Sequence, residues 1–294
     1  MALLKKTDVA PERPVIILIY GVAGVGKTSI SNTANNPILI DTDRGYDRAC
    51  SRADTIVASN WNDVLNDEGE IKNYSTAIVD TAKAVLDDFL IEYVTRLDYK
   101  LKTNKQKMYG AIGEEFKDFV NRRRSENVDI IFIAHAKEKE VKDATFVFPD
   151  ITGGSKELLI RIADQIGYIS MVNNKRTISF DPTDTAIGKN TAKIEPMEIP
   201  DQYSEEFPTF MDGLIKKVKQ SIHSQTEDQK KALEEVEKLR GEISAIKETT
   251  DADAVLLSLN DKPKTLSMPL KELLNTKVKE LKFKFNKETK LFEK

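Results

Sequence analysis

Residues 15–28 read VIILIYGVAGVGKT, an apolar run that leads directly into a glycine-rich loop. Residues 15–20 are apolar and mostly β-branched, which predicts a buried strand. Residues 21–28 complete the pattern G-x-x-x-x-G-K-[ST], and the residues behind them predict the start of a helix. A strand, a glycine loop and a helix in this order indicate a binding site for the phosphates of a nucleoside triphosphate.

Each residue type in the loop has a physical role. The glycines let the backbone wrap around a phosphate chain with its N–H groups pointing inward. Lys27 is expected to reach the β- and γ-phosphates, and the Thr28 hydroxyl is expected to coordinate Mg²⁺. The predicted nucleotide contacts are Gly21, Val22, Ala23, Gly24, Val25, Gly26, Lys27, Thr28 and Ser29.

The composition sets limits on the class of protein. A chain of 294 residues, 40% of them hydrophobic, is long enough for one large α/β domain with an appendage, or for two domains. A formal net charge of −3 argues against a protein that coats nucleic acid with its whole surface, but it allows a local basic groove. Cys50 is the single cysteine, so we expect no intramolecular disulfide and a reducing compartment. The apolar runs are too short for a signal peptide or a membrane span, so we expect a cytoplasmic protein without membrane contact.

Strand and helix patterns alternate through the first two thirds of the chain, which predicts a mostly parallel central sheet flanked by helices. Strands are predicted at 15–20, 38–40, 55–58, 76–79 and 128–134, helices at 82–99, 110–126 and 157–166, and a hairpin at 167–180 that turns at 173–174. Further along the chain, apolar residues at helical spacing predict an amphipathic helix in 226–249, and another helix is predicted at 268–281. We therefore predict an α/β ATP-binding core over residues 1–222 and a small, charged helical region over residues 223–294.

Acidic residues follow the apolar strands where a P-loop protein needs them. Asp80 comes after the strand 76–79, where a carboxylate would hold Mg²⁺ or would cap the next helix. Asp41 and Asp43 follow another strand and share one face of an extended segment. Either carboxylate could orient or deprotonate a water molecule beside the γ-phosphate, and a polar loop is the alternative.

His135 ends the strand 128–134, at the carboxyl end of a central strand. There its imidazole could contact the γ-phosphate and sense hydrolysis, and a purely structural histidine is the alternative.

Motifs that the chain lacks narrow the nucleotide. Asp80 is followed by Thr-Ala-Lys instead of completing D-x-x-G, and no N-K-x-D motif is present, so we expect ATP rather than GTP. Residues 122–124 are three arginines that predict a solvated helix face rather than the lid of a small-molecule kinase. A metabolic kinase is disfavoured because the chain carries no acceptor-site signature.

The order of these motifs resembles the RecA-like recombinase core, especially the phage-encoded nucleotide-binding proteins that act as single-strand annealing or recombination ATPases. The resemblance rests on residues 19–28, 38–43, 77–80, 131–135 and 150–154, and it covers about residues 14–182. It implies a RecA-like P-loop fold with a small helical C-terminal appendage outside the resemblance.

The resemblance also assigns roles to individual residues. Asp43 takes the position of a catalytic glutamate, although its side chain is one methylene shorter. Asp80 takes the position of the Mg²⁺-linked aspartate, and His135 that of a γ-phosphate sensor. The expected catalytic residues are therefore Lys27, Asp43 and His135, and the expected metal ligands are Thr28 and Asp80.

Two further segments gain a DNA-binding role from the same resemblance. Residues 99–109 resemble the first DNA loop, and residues 136–154 resemble the second, flexible one. Lysines that pair with phosphates and aromatic residues that stack on bases suit single strands, and solvated basic loops are the alternative. The expected DNA-binding residues are Lys100, Lys102, Lys105, Lys107, Lys137 and Lys139. Lys175 and Arg176 resemble basic residues that reach across a subunit interface towards the neighbour's ATP, unless they are simply an exposed hairpin tip.

These expectations converge on a DNA-dependent ATPase that uses ATP and Mg²⁺ and binds single-stranded DNA in phage recombination or strand annealing, in the cytoplasm of a bacterial host. We expect a homo-oligomer, a ring or a filament, and a phage single-strand-binding or replication protein is a further candidate partner. The alternative is a nucleotide-gated interaction module that recruits a replication or recombination partner through its C-terminal helices and contacts no DNA.

Overall fold

The computed structural model describes residues 11–141, 144–286 and 288–294. The chain divides into two compact units, one formed by Glu12–Ile222 and the other containing His223–Lys294.

A central sheet organises the first unit. Its strands are β1 (Ile16–Gly21), β2 (Pro37–Asp41), β3 (Asp54–Val57), β4 (Thr76–Asp80), β5 (Asp129–Val141), β6 (Ala144–Pro149), β7 (Gln165–Val172), β8 (Lys175–Ser179), β9 (Lys189–Asn190) and β10 (Met197–Glu198). The strand order is β10-β8-β7-β1-β5-β4-β2-β3, with β6 paired to β5 and β9 paired to β7. The six strands from β7 to β3 in this order run parallel, which confirms the predicted mostly parallel sheet.

The continuous apolar run of β1 is explained by burial on both faces of the sheet. Ile16, Leu18 and Tyr20 contribute to one apolar layer, and Ile17 and Ile19 contribute to the other. Helices cover both layers, so the strand that carries the glycine loop lies at the centre of the fold.

The first layer lies under α2 (Trp61–Asp67), α3 (Leu90–Leu97), α4 (Lys105–Ser125) and α5 (Gly153–Ile162). The second layer lies under α1 (Lys27–Ser31) and the first part of α6 (Phe210–Ala245). The helix predicted at 82–99 begins with a π-helical turn, Ala84–Phe89, before α3. The hairpin predicted to turn at 173–174 is confirmed, because β7 and β8 pair around these two residues.

The arginines at 122–124 do not form the fully solvated face that the sequence predicts. Arg123 is only 1% exposed and donates to Glu68 at 2.9 Å and to Glu126 at 2.7 Å. Arg122 also donates to Glu68. The sequence pattern missed the two ion pairs to Glu68 because this residue belongs to a segment far away in the chain.

The second unit has its own apolar core. It is built from the end of α6, from α7 (Thr249–Asn260) and α8 (Lys264–Glu280), and from a short hairpin of β11 (Lys284–Phe285) and β12 (Phe292–Glu293). Leu239, Ile243 and Ile246, which the helical spacing singled out, are buried in this core. In the described part of the chain, no helix is both long and apolar enough to cross a membrane.

Phe116 tests the packing of the first layer, because its ring is fully buried and lies 5.4 Å from the ring of Phe132. Phe116→Ala should lower the free energy of unfolding by about 3–5 kcal/mol, the usual cost of emptying such a site. Urea unfolding measures this change. Tyr203 is 89% exposed, and Tyr203→Ala should change the same quantity by less than about 0.5 kcal/mol. Equal effects of the two variants would contradict the packing described for this layer.

Candidate nucleotide-binding site

The glycine loop leaves the carboxyl end of β1 between two parallel neighbours. Gly21 pairs with His135 on β5 and with Ile169 on β7. Gly24 and Gly26 have φ values of 76° and 91°, a region that favours glycine. The loop therefore has the backbone that its sequence predicts, at the sheet edge where parallel strands present their carboxyl ends.

Lys27 is held inside the loop. It is 6% exposed, and its Nζ donates to the carbonyl oxygens of Gly21 at 3.0 Å and Val22 at 2.9 Å. Burial lowers the pKa of Lys27, and the charge of Asp80 offsets part of this effect. Because the ammonium group of Lys27 is largely removed from water, its electrostatic attraction to a phosphate group is stronger than that of an exposed lysine.

Thr28 and Asp80 meet directly, since the Thr28 hydroxyl donates to Asp80 Oδ2 at 2.5 Å. A hydroxyl and a carboxylate oxygen side by side are ligands that Mg²⁺ accepts. Within the described residues, no group of three or more acidic, histidine or cysteine side chains could hold a metal by itself. Mg²⁺ held by Thr28 and Asp80 would therefore take its other ligands from nucleotide phosphates and water.

The ionised form of Asp80 is electrostatically unfavourable in the folded protein. Burial is the main reason why its pKa is raised, and the negative charges of Asp43 and Asp41 raise it further. The hydrogen bond from Thr28 and the charge of Lys27 act in the opposite direction without cancelling the shift. The carboxylate would therefore gain from a cation in this place.

The two carboxylates after β2 have different environments. Asp41 is 2% exposed and accepts hydrogen bonds from the backbone N–H groups of Asp43 at 3.1 Å and Tyr46 at 2.9 Å. It therefore fixes the turn that follows the strand. Asp43 is exposed, and its influence on Asp80 shows that it belongs to the same acidic corner.

Thr42 is a site residue that the sequence reasoning missed. Its hydroxyl donates to the carbonyl oxygen of Asp80 at 2.9 Å and accepts from the N–H of Thr81 at 2.9 Å. This clamp holds the ends of β2 and β4 together. The one signal in the sequence was the position of a threonine between two carboxylates at a strand end.

His135 lies beside Gly21 and is half-buried, but it does not end its strand as the sequence predicts, because β5 continues to Val141 and pairs with β6. Its backbone carbonyl accepts from the N–H of Asp150 at 2.8 Å. The structure thus brings the loop, the Asp41–Asp43 turn, Asp80 and His135 to one edge of the sheet.

Comparison with known families decides the class of this site. The family described as AAA domain matches residues 13–192, more than half of the chain. The chain belongs to the AAA domain family. It is therefore a P-loop ATPase by family, which supports nucleotide binding and hydrolysis at the loop. No curated protein matches the chain.

In this AAA domain the side chain of Ser29 faces away from the loop. Its hydroxyl accepts from the N–H of Cys50 at 3.1 Å, and it is 9% exposed. A nucleotide contact by Ser29 would therefore come from its backbone N–H.

The two predicted DNA loops have a different structure from the one expected. Residues 136–141 and 144–149 pair as antiparallel strands instead of forming a flexible loop, and residues 142–143 lie outside the described part of the chain. The glycine pair at 153–154 opens α5. Residues 99–109 are not a continuous loop either, because a 3₁₀ turn (Tyr99–Thr103) leads into α4 at Lys105. The lysines predicted to bind DNA lie exposed on these elements: Lys100, Lys102, Lys105, Lys107, Lys137 and Lys139.

Asp80→Asn tests the electrostatic cost at the site. Since the pKa of Asp80 is raised in the folded state, ionisation destabilises the nucleotide-free protein at neutral pH. The variant should therefore melt at a higher temperature than the wild type at about pH 7.5. The difference should shrink as the pH falls through the raised pKa, where the wild-type carboxyl becomes neutral too.

The same variant should lose Mg²⁺-dependent nucleotide binding, as expected when a metal ligand is removed. Thermal melts over a pH series, with and without nucleotide, measure both effects. A nucleotide-free variant that melts at or below the wild-type temperature at every pH would contradict this description of Asp80.

Proposed function

We propose that this AAA domain protein hydrolyses ATP with Mg²⁺ and binds single-stranded DNA, in phage recombination or strand annealing. The observation that carries the proposal is the continuity of β5. The strand runs from His135, the partner of Gly21, straight into the β5–β6 hairpin. A change at the phosphates can therefore reach the hairpin through a single strand.

The hairpin has one cationic and aromatic face. Lys137 pairs with Phe148, and Lys139 pairs with Phe146. Directly paired residues of antiparallel strands lie on the same face of the ribbon. Lysines next to phenyl rings suit single strands, because the ammonium groups attract phosphates and the rings stack on bases.

The opposite face has the opposite charge. Glu138 pairs with Val147 and Glu140 pairs with Thr145, so both acids lie away from the lysines. This separation distinguishes the hairpin from a strand with randomly mixed charges. It leaves one face for a polyanion and makes the other unfavourable for it.

A third cation joins the aromatic face. Nζ of Lys156 lies 4.9 Å from the ring centroid of Phe148. A cavity of about 310 Å³ next to these residues is lined by Phe146, Val147, Phe148 and Lys156 and by residues 183–187. A cavity of this size, with phenyl rings and an ammonium in its wall, would accommodate a nucleobase.

Ion pairs link the hairpin base to the site. Asp150 accepts from Lys83 at 2.7 Å and lies 3.7 Å from Lys137. Burial alone would raise the pKa of Asp150, but the hydrogen bond and charge of Lys83, together with Lys137, lower it. Lys83 follows Asp80 in the chain by three residues, so the metal-binding segment and the hairpin share this carboxylate.

Each residue of the site would have a separate role in ATP hydrolysis. Asp43, exposed beside Asp80, would orient the attacking water, and His135 would contact the γ-phosphate. Lys27 would neutralise the transferred phosphoryl group. Bound Mg²⁺ would supply charge neutralisation on the phosphate oxygens, with Thr28 and Asp80 as its protein ligands.

The lysines around residue 100 would extend the DNA contact. Lys102 lies over the ring of Tyr99 with its Nζ 4.6 Å from the centroid, and both side chains are exposed. This pair repeats the combination of ammonium and aromatic ring seen on the hairpin.

Fluorescence anisotropy with a labelled poly-dT oligonucleotide tests the proposal. Affinity should rise when ATP and Mg²⁺ are added, and should fall with salt. Lys137→Gln with Lys139→Gln should weaken binding about tenfold and reduce the slope of log K against log salt by about 1.4, since each single-strand phosphate contact contributes about 0.7.

The matched control removes the same number of charges from the opposite face. Glu138→Gln with Glu140→Gln should leave the salt slope unchanged. If the wild type binds the oligonucleotide equally with and without nucleotide, or if both double variants behave alike, the DNA proposal fails while the nucleotide site stands.

A second candidate function is a nucleotide-gated module that recruits a protein partner through the C-terminal unit. It is favoured by an apolar cavity of about 390 Å³ in that unit, lined by Asp253, Leu256, Leu257, Asn260, Phe285, Lys290 and Leu291. Leu257 is 64% exposed and Phe285 is 47% exposed, which is more apolar surface than a closed unit needs. Under this alternative the wild type would not bind the oligonucleotide at all.

A further inference from the structure

The β7–β8 hairpin extends beyond the end of β1. Gly21, the last residue of β1, pairs with Ile169, and β7 continues to Val172. Asn173 and Asn174 then form the turn with φ values of 50° and 62°, as in a tight hairpin. The chain returns with Arg176 opposite Met171, alongside the glycine loop.

Arg176 lies against the loop of its own chain. A side chain at Gly26 would begin only 2.7 Å from Nη1 of Arg176, so the guanidinium occupies the space beside this glycine. Gly26 directly precedes Lys27, and its N–H belongs to the part of the loop that wraps phosphates.

The position of Arg176 is fixed by backbone contacts. Its Nη2 donates to the carbonyl oxygen of Pro200 at 3.2 Å, and its own carbonyl accepts from the N–H of Ile199 at 2.7 Å. The residue is half-buried. A guanidinium that is already oriented loses less freedom when it binds an anion.

The charges around Arg176 point to an anion. The neighbouring Lys175 pairs with Glu198 at 2.7 Å, whereas the described residues supply no carboxylate to Arg176. Two cations, Arg176 and Lys27, therefore converge on one loop. A negative group bound in this loop would be attracted by both cations.

We propose that Arg176 is a nucleotide-binding residue that acts in cis, on the phosphates of a nucleoside di- or triphosphate in its own loop. The sheet order decides which phosphates these are. β7 and β8 lie on one side of β1, and β5 and β4, which carry His135 and Asp80, lie on the other. Arg176 thus approaches from the side opposite the metal and γ-phosphate residues, and it contacts the phosphates that ADP and ATP share.

Titrations with fluorescent ADP and ATP analogues test this inference. Arg176→Ala should weaken both nucleotides by a similar factor, about 10- to 100-fold, as expected for a lost charge-assisted hydrogen bond. ATP turnover at saturating nucleotide should keep most of its kcat, so the loss should be in KM. Arg176→Lys keeps the positive charge but loses the planar guanidinium with its paired N–H donors. Its nucleotide affinity should therefore lie between that of Arg176→Ala and that of the wild type.

Lys72→Ala is the matched control for charge. Lys72 is exposed on a segment that precedes β4, at the amino edge of the sheet and away from the loop. The affinity of Lys72→Ala for both nucleotides should lie within about twofold of the wild-type affinity. If Arg176→Ala binds ADP as tightly as the wild type, the inference is wrong. Should the alanine variant fail to fold, the same comparison is made with Arg176→Lys.

Mixing variants separates action in cis from action across an interface. A preparation of Lys27→Ala combined with Arg176→Ala contains no chain in which both residues are intact. If Arg176 acts in cis, the mixture should not turn over ATP faster than the sum of its components at subsaturating nucleotide. If it acts on a neighbour, mixed assemblies would regain turnover, and that result would overturn the inference.

Discussion

Parallel pairing of β1 with strands on both sides is the constraint on which the site depends. It places Gly21 level with His135 on one side and with Ile169 on the other. The chain can leave β1 only as a loop at the carboxyl edge of the sheet, where the end of β4, His135 on β5 and the β7–β8 hairpin already lie. The functional groups reach one place because strand register fixes each of them.

This arrangement holds charges that water would otherwise stabilise. Burial lowers the pKa of Lys27 and raises that of Asp80, so each charged form is disfavoured in the folded protein. The same groups are those that a phosphate chain and its cation would neutralise. The loop is therefore a place where folding stability is given up for ligand affinity, as is common at functional sites.

Local signals predicted the central part of the fold. The run before the loop was identified as a buried strand because β1 has no solvent face, and Asp80 was identified because it directly follows another such strand. The hairpin turn at Asn173 was predicted because asparagine tolerates positive φ. These features depend on residues close together in the chain.

The misassigned features depend on which strands pair and in which register, and the sequence pattern does not show this. The family resemblance predicts a flexible loop at Lys137, Glu138, Lys139 and Glu140, although alternating charge is equally a strand pattern once β6 pairs with it. The position of Arg176 in the sequence does not show that its side chain lies beside the glycine loop of the same chain. Its contact with Gly26 depends on the register of two strand pairs, which the sequence does not show.

The central claim is that the glycine loop binds a nucleoside triphosphate with Mg²⁺ through the residues that now contact one another. The most direct measurement is a crystal structure of the protein with Mg²⁺ and a non-hydrolysable ATP analogue. The account predicts that Lys27 Nζ leaves the carbonyl oxygens of Gly21 and Val22 for the phosphates and that a cation separates Thr28 from Asp80. An analogue bound elsewhere, with the Lys27 contacts and the Thr28–Asp80 hydrogen bond intact, would contradict it.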